Sequence, residues 1–492
     1  MLVPDIPIAL PVAVCVIIVY TIGTLVYNVF FHPLHKYPGP FWWRACRLPW
    51  VMALAKGNLI VRVSEIHNEY GSVVRVAPDE LAFIEADAWK DVYGHRTNEF
   101  TKSRRMYNIS DKMIPKSILN EPKDEHAMIR RGLAHGFSEK SMREQEPLFK
   151  AYGDMLMDQM KELRLDAVTG EAKPVDMMSM YNFFTFDVIG TLSFGESFDC
   201  LSTAEYHPWI KTIFASLRDV AWVFGARYMG LDWLVDMTLK YGQENRKRNT
   251  EWAEAKIQKR IAVASERPDF LEGLLKKNEA GMLDWPRLRQ TASVIVAAGS
   301  ETTATLLSGV TYLLCMNPHA MEKLRNEVRS TFNSEDEITF TSVNSLMYMM
   351  ACLNEALRMY PPIPGSLPRR SPKGGAMVAG HWVPENTDVA VWQWALCHNS
   401  SLWEAPLEYH PERFLGDERF ARDRRECLKP FSVGPRDCIG KNLAYAEMRL
   451  ILARIMFNFE LSIAEESRNW MDQRVFVLWE KPALNVYLKP VR

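Results

Sequence analysis

The chain opens on an unbroken apolar block. From Ile6 to Phe31 there are 26 residues without Asp, Glu, Lys or Arg. About 20 apolar residues let a helix cross the hydrocarbon core of a bilayer. A cleaved signal peptide carries a shorter stretch, roughly 7–15 residues, behind a basic start. Here the start holds Asp5 and no Lys or Arg, while Lys36, Arg44 and Arg47 follow the block. The pattern predicts an uncleaved single span over residues 1–31, with the bulk of the chain on the cytoplasmic side. Pro11 and Gly23 are tolerated in such spans. The next residues, His32 to Pro40, contain three prolines and a glycine. They cannot continue the helix and read as a stiff, proline-rich linker over 32–45.

Beyond the linker the period changes twice. From about Ser141 to Asn317 apolar residues recur at three and four, which predicts helices. The strongest runs from Pro286 to about Met316, with Asp284 as N-cap and Asn317-Pro318 as the stop. It is apolar nearly all round and spans about 45 Å, so it should be a central buried helix. After Pro361 the runs Ala376–Val383, Asp388–Trp392 and Arg474–Leu488 read as strands between Pro and Gly turns. No repeat and no internal linker cuts residues 46–492. The fold class expected is mainly α with a smaller β part: a single large helix-rich domain behind one N-terminal transmembrane helix.

Composition narrows the function. The 59 basic residues are balanced by 60 acidic ones, which removes the basic excess of a general nucleic-acid binder. Eight cysteines are scattered without any C-x-x-C pair, so neither a zinc site nor a disulfide framework is indicated. Two sequons, at Asn108 and Asn399, would not meet the glycosylation machinery on a cytosolic body.

Three constellations carry chemistry. The central helix reads Ala297-Ala298-Gly299-Ser300-Glu301-Thr302-Thr303. Small residues there let a ligand approach the backbone, and an acid beside an alcohol can relay protons. A plain small-residue helix crossing explains the same residues equally well. The second is Phe431-Ser432-Val433-Gly434-Pro435-Arg436-Asp437-Cys438-Ile439-Gly440, followed by an amphipathic pattern from Asn442 to Phe457. Gly-Pro forces a tight loop and Gly440 admits a flat ligand. Cys438 at a helix mouth is favoured as a thiolate, and Arg436 can meet a carboxylate. Together these suit a haem. The other seven cysteines read as small buried hydrophobes. The third is Glu355-Ala356-Leu357-Arg358, with Pro411-Glu412-Arg413-Phe414 downstream. Alone, such a pair is weak evidence; an apolar helix ended by Pro361-Pro362 lends it weight.

The order A-G-x-E-T-T, E-x-x-R, P-E-R-F, F-x-x-G-x-R-x-C-x-G resembles the cytochrome P-450 family of haem-thiolate monooxygenases. The anchor and F-H-P-L-x-x-Y-P-G-P resemble its fungal microsomal type. The resemblance implies heme b with Cys438 as its axial thiolate and metal ligand, and Phe431 packed by the sulfur. It implies Glu301 and Thr302 as the acid–alcohol pair passing protons to dioxygen. Ala298 and Gly440 then face the ring, and Glu355, Arg358 and Arg413 form a structural triad. Arg436, Arg130 and Arg369 (with Arg370 its rival) become propionate partners. His126 stands where the family has Trp; a plain surface histidine is the other reading. The resemblance further implies an NADPH-cytochrome reductase flavoprotein as partner, a small apolar organic substrate, and no nucleic acid. The enzyme would sit in the endoplasmic reticulum membrane, with its catalytic domain facing the cytoplasm. Exposed members of Arg424, Arg425, Lys429, Arg436 and Lys441 suit a reductase face, or are ordinary solvated charge. His95–Leu119 and Trp209–Trp233 are expected to line the pocket as a lid. Tailoring of a fungal secondary metabolite, terpenoid or polyketide, is the expected role. A haem-thiolate isomerase or peroxygenase and a non-catalytic membrane haem sensor are the alternatives. The intact Glu301-Thr302 pair favours dioxygen use.

Overall fold

The computed structural model describes residues 9–107, 115–166, 169–215, 217–241, 243–262 and 269–491. The sequon at Asn108, part of the first lid stretch and the first residues of the predicted span lie outside them. Helix α1, Ala9–Val26, continues through a π turn to Phe31. The segment Leu10–Phe31 is long and apolar enough to cross a membrane, and of its side chains only that of Val29 is buried in the protein. The proline-rich segment behind it is packed down. Leu34 is fully buried, Tyr37 Oη donates to the carbonyl of Trp382 at 2.5 Å, and Arg75 N donates to Pro38 O at 2.7 Å. Asn28 Nδ2 reaches back to Ala45 O at 2.8 Å. Gly39 has φ +155°, and a Cβ there would strike the Arg75 carbonyl, so only glycine lets the chain pass.

The body is helical with small sheets. Five helices position the site: α2 Lys123–Leu133, α3 Met177–Phe194, α4 Trp285–Met316, α5 Met347–Met359 and α6 Lys441–Asn458. Helix α4 begins as its sequence predicts, with the Asp284 side chain accepting from Arg287 N at 2.9 Å. It stops before Pro318, whose ring bars a continuing helix. It packs along α3, which is buried along almost its whole length. Helix α6 departs from its expected one-sided pattern, with both Glu447 and Arg454 buried.

The main sheet has strands β1 Val73–Ala77, β2 Glu80–Phe83, β3 Thr101–Lys102, β4 Arg369–Arg370 and β5 Asp388–Val391, in the order β1-β2-β5-β4-β3. Only β2 and β5 run parallel; the other pairs are antiparallel. Ala376–Val383 forms a hairpin turning at Ala379-Gly380. The C-terminal run Arg474–Leu488 differs from the single strand expected. It forms three short strands in two separate sheets, because Pro482 cannot donate to a ladder.

Candidate active site

A cavity of about 500 Å³ lies between α4, α6, the main sheet and the loop before α6. Its wall carries Ala298, Gly299, Thr302 and Thr303 of α4, and Phe431, Arg436, Cys438 and Gly440 of the loop. The Cys438 thiol is exposed to this space. Its loop is braced by Cys438 N donating to Phe431 O at 2.9 Å and Asp437 N to Gly434 O at 3.1 Å. Desolvation by the surrounding cavity wall raises the Cys438 thiol above its ordinary pKa, against an opposing hydrogen bond at Gly440. The helix mouth alone therefore does not make the thiolate; a metal would. Phe431 packs its ring against Tyr445, with centroids 5.1 Å apart. Cys427 is buried elsewhere, its carbonyl accepting from Trp89 Nε1 at 2.9 Å, and it is not on the cavity wall.

Gly434 has φ +83°, and a Cβ there would collide with the Tyr93 carbonyl. A left-handed non-glycine residue costs roughly 1–2 kcal/mol before any clash. Gly434→Ala is expected to unseat the cysteine loop and to lower the haem content of purified protein several-fold, read as the ratio of Soret to protein absorbance.

Basic side chains gather at one edge of the cavity: Lys102, His126, Arg130, Arg369 and Arg436. Arg130 is spent on Asp437, bonding its carbonyl at 2.7 Å and its Oδ1 at 2.5 Å, and so grips the residue next to Cys438. Arg369 lies over the Tyr93 ring at 5.0 Å. Arg370 points elsewhere, onto Asp388 at 3.2 Å, and is absent from the wall. Arg436 donates to Glu121 O at 3.0 Å, but its Nη1 is buried without a partner. His126 is buried rather than on the surface; burial and then Arg436 push its pKa down to about 3, so the ring is neutral at pH 7. Lys102 is held at about 6 by burial, Arg369 and Arg436. So many crowded donors, one an orphaned guanidinium nitrogen, suit a dianionic partner. The two propionates of a haem fit.

The two halves of the acid–alcohol pair separate. Thr302 faces the cavity, its Oγ1 donating to Ala298 O at 2.8 Å. Glu301 is not on the wall: it is buried in an ion pair with Lys481, whose Nζ also meets Thr305 Oγ1 at 2.6 Å. Adjacent helical residues point about 100° apart, which lets Thr302 face the cavity while Glu301 turns to Lys481. Gly299 serves the helix crossing as well, since a Cβ there would sit 2.8 Å from Ile189 of α3. Behind the cavity, Glu355 bonds Arg358 through both oxygens at 2.8 Å and Arg413 Nε at 3.0 Å, all three side chains fully buried. Arg413 also pairs with buried Asp423. Of the expected lid, Met106, Tyr107, Ile118, Phe224 and Tyr228 line the cavity. Trp222 and Trp233 instead stand in solvent, each 65% exposed.

The chain belongs to the cytochrome P450 family: the family model matches residues 37–486. Its members are haem-thiolate enzymes, and this chain is a cytochrome P450 monooxygenase by kinship. It is 45% identical to Cytochrome P450 monooxygenase tpeC of Talaromyces stipitatus, over 98% of this chain and 94% of that one. It is 42% identical to the Trichothecene C-15 hydroxylase of Fusarium sporotrichioides over 96% of each chain. It is 42% identical to Cytochrome P450 monooxygenase astA of Talaromyces wortmannii, over 96% of this chain and 95% of that one. A member of this family works with dioxygen, an organic substrate and an electron-supplying partner.

Proposed function

We propose that Cys438 is the thiolate that would hold the haem iron of this monooxygenase, with Arg436, Arg369, His126 and the unforeseen Lys102 around the propionates and Arg130 gripping Asp437 beside the thiolate. The observation that carries this reading is the shared wall. Cys438, the cationic edge and Thr302 all face one largely apolar cavity. Bound there, haem supplies the activation of dioxygen, placing one oxygen atom on the substrate and the other in water, with NADPH electrons arriving through a flavoprotein reductase. The protein's part is to shape, dry and protonate. Tyr107, Ile118, Phe224 and Ile295 offer an apolar substrate a desolvated surface. The Thr302 hydroxyl holds a proton at the wall. Glu301 can serve it only by leaving Lys481.

In the same reading residues 1–31 anchor the enzyme in the endoplasmic reticulum membrane, 32–45 join the anchor to the body, and 46–492 face the cytoplasm as the catalytic domain. Arg424, Arg425 and Lys441 are exposed around the cysteine loop and suit an acidic reductase face. Arg436 is not part of that face, because it belongs to the cavity. The named fungal monooxygenases among its relatives support a tailoring step on a secondary metabolite.

A carbon monoxide difference spectrum of the reduced full-length protein tests the reading: a strongly red-shifted Soret band is expected, and a pigment-free protein would end it. With reductase and NADPH, Thr302→Ala is expected to release several-fold more hydrogen peroxide per NADPH than the parent. Equal release would remove Thr302 from the proton path.

A further inference from the structure

The cavity wall includes the tip of a hairpin near the C-terminal end of the chain. Strands Arg474–Val475 and Trp479–Glu480 pair antiparallel, and Val475, Phe476 and Val477 line the cavity. A ribbon this short is not stable by itself, so its position is set by what holds it. On one arm, Val475 N donates to Gly57 O at 2.8 Å. On the other, Trp479 Nε1 donates to Pro361 O at 2.8 Å, and its ring stacks on Tyr360 with centroids 4.5 Å apart. Glu480 accepts from Arg218 Nε at 2.5 Å. That arginine belongs to helix Leu217–Tyr228, which carries the lid residues Phe224 and Tyr228. The next residue, Lys481, reaches α4. Its Nζ pairs with Glu301 and donates to Thr305 Oγ1 at 2.6 Å, and the two charged side chains are only 4% and 6% exposed. Thr305 closes the ring by donating to Glu301 Oε1 at 3.4 Å.

We propose that the Glu301–Lys481 pair is the clamp that fixes this hairpin to α4, so that Glu301 is a positioning residue for the cavity wall and not the proton source for Thr302. The assignment rests on the reading of Cys438 and Thr302 given above. The Glu301 carboxylate lies off the wall, away from the space that Thr302 faces. Its second oxygen, Oε2, is buried and among the described residues meets no donor, so no hydrogen bond links the acid to Thr302. Turning toward the cavity would cost it the lysine. Lys481 would then keep only the Thr305 hydroxyl, and an ammonium stranded in the interior is strongly unfavourable because nothing replaces its water. The pair therefore stays closed through turnover. Lys481 follows Val477 by four residues, so the clamp sets the distance between the hairpin tip and the α4 face that carries Ala298 and Thr302.

The test uses the full-length holoenzyme and two probes, imidazole and the bulky triaryl azole clotrimazole, each titrated by its Soret shift. Imidazole is small enough to ignore the wall, whereas clotrimazole presses on it. Lys481→Met should weaken clotrimazole binding several-fold and leave imidazole unchanged, with the red-shifted carbon monoxide band intact. A loss of stability alone would not separate the two probes. The exchanged double variant, Glu301→Lys with Lys481→Glu, restores the ion pair while taking the carboxyl off α4. It should recover the parent's affinity for clotrimazole and, with reductase and NADPH, the parent's peroxide release. Should it fail to fold, Glu301→Gln serves: its amide oxygen still accepts from Lys481, it has no acidic proton to give, and its peroxide release should match the parent's. Peroxide release raised several-fold in a variant that binds both azoles as the parent does would make Glu301 the proton source and overturn the proposal. So would a Lys481→Met protein that keeps the parent's affinity for clotrimazole. A parent lacking the red-shifted band would instead defeat the reading of Cys438. Thermal melting of Glu301→Met, Lys481→Met and their double variant would then decide the clamp, which requires the double variant to melt above either single one.

Discussion

Cys438→Ser is expected to yield a folded protein with no red-shifted carbon monoxide band and no detectable product. Serine nearly matches cysteine in size, and the loop hydrogen bond to Phe431 O comes from the backbone, so the fold should survive. What disappears is the only thiol on the cavity wall among the described residues. A serine hydroxyl is a far weaker acid and a harder ligand than a thiol, so it does not replace the electron donation of a thiolate. Cys427→Ser is the matching control. Cys427 is the nearest cysteine in sequence, yet it is buried behind Trp89, and its replacement should leave the band in place. A band that survives in Cys438→Ser, or vanishes only in Cys427→Ser, would move the iron away from Cys438.

Glu355→Ala should be nearly as severe, by a different route. The Glu355 carboxylate accepts from Arg358, Arg413 and the His410 backbone N–H inside the protein. Its removal strands two fully buried guanidiniums. Breaking a buried pair from one side costs about 3–5 kcal/mol, a large share of the roughly 5–15 kcal/mol that keeps a domain folded. Arg413 retains Asp423 and three carbonyls still hold Arg358, so local order should persist where global stability does not. The expected result is a collapse in the yield of haem-loaded protein. Any that is recovered should melt many degrees lower in a thermal scan. A variant melting within a degree or two of the parent would show the cluster to be dispensable.

These two predictions also mark what could be read from one dimension. Cys438, its glycines and the Glu355–Arg358 pair are close in sequence, and their spacing shows on the page. The course of α4 was equally plain, since its cap, proline and stop are local signals. Lys102 was not: it reaches the cationic edge because β3 pairs with β4 and brings it opposite Arg369, and no short-range pattern encodes that pairing. Lys481 was missed for the same reason, meeting Glu301 across elements distant in the chain. Glu301 shows the opposite failure. Its position beside Thr302 was visible, but the direction its carboxylate takes is decided by a lysine 180 residues away. The His126 ring had no distinguishing mark in sequence; only burial separates it from a surface histidine.

The packed segment behind α1 has a mechanical consequence. With Leu34 sunk in the core, Tyr37 tied to Trp382 and Asn28 tied to Ala45, the tether has no free swivel. It works as a bracket, not a string. Under the anchoring proposed above, a body mounted this way would keep one attitude to the bilayer plane. Trimming the chain at residue 32 leaves the bracket's foot on the body, whereas trimming at 46 tears out part of the wall it is bolted to.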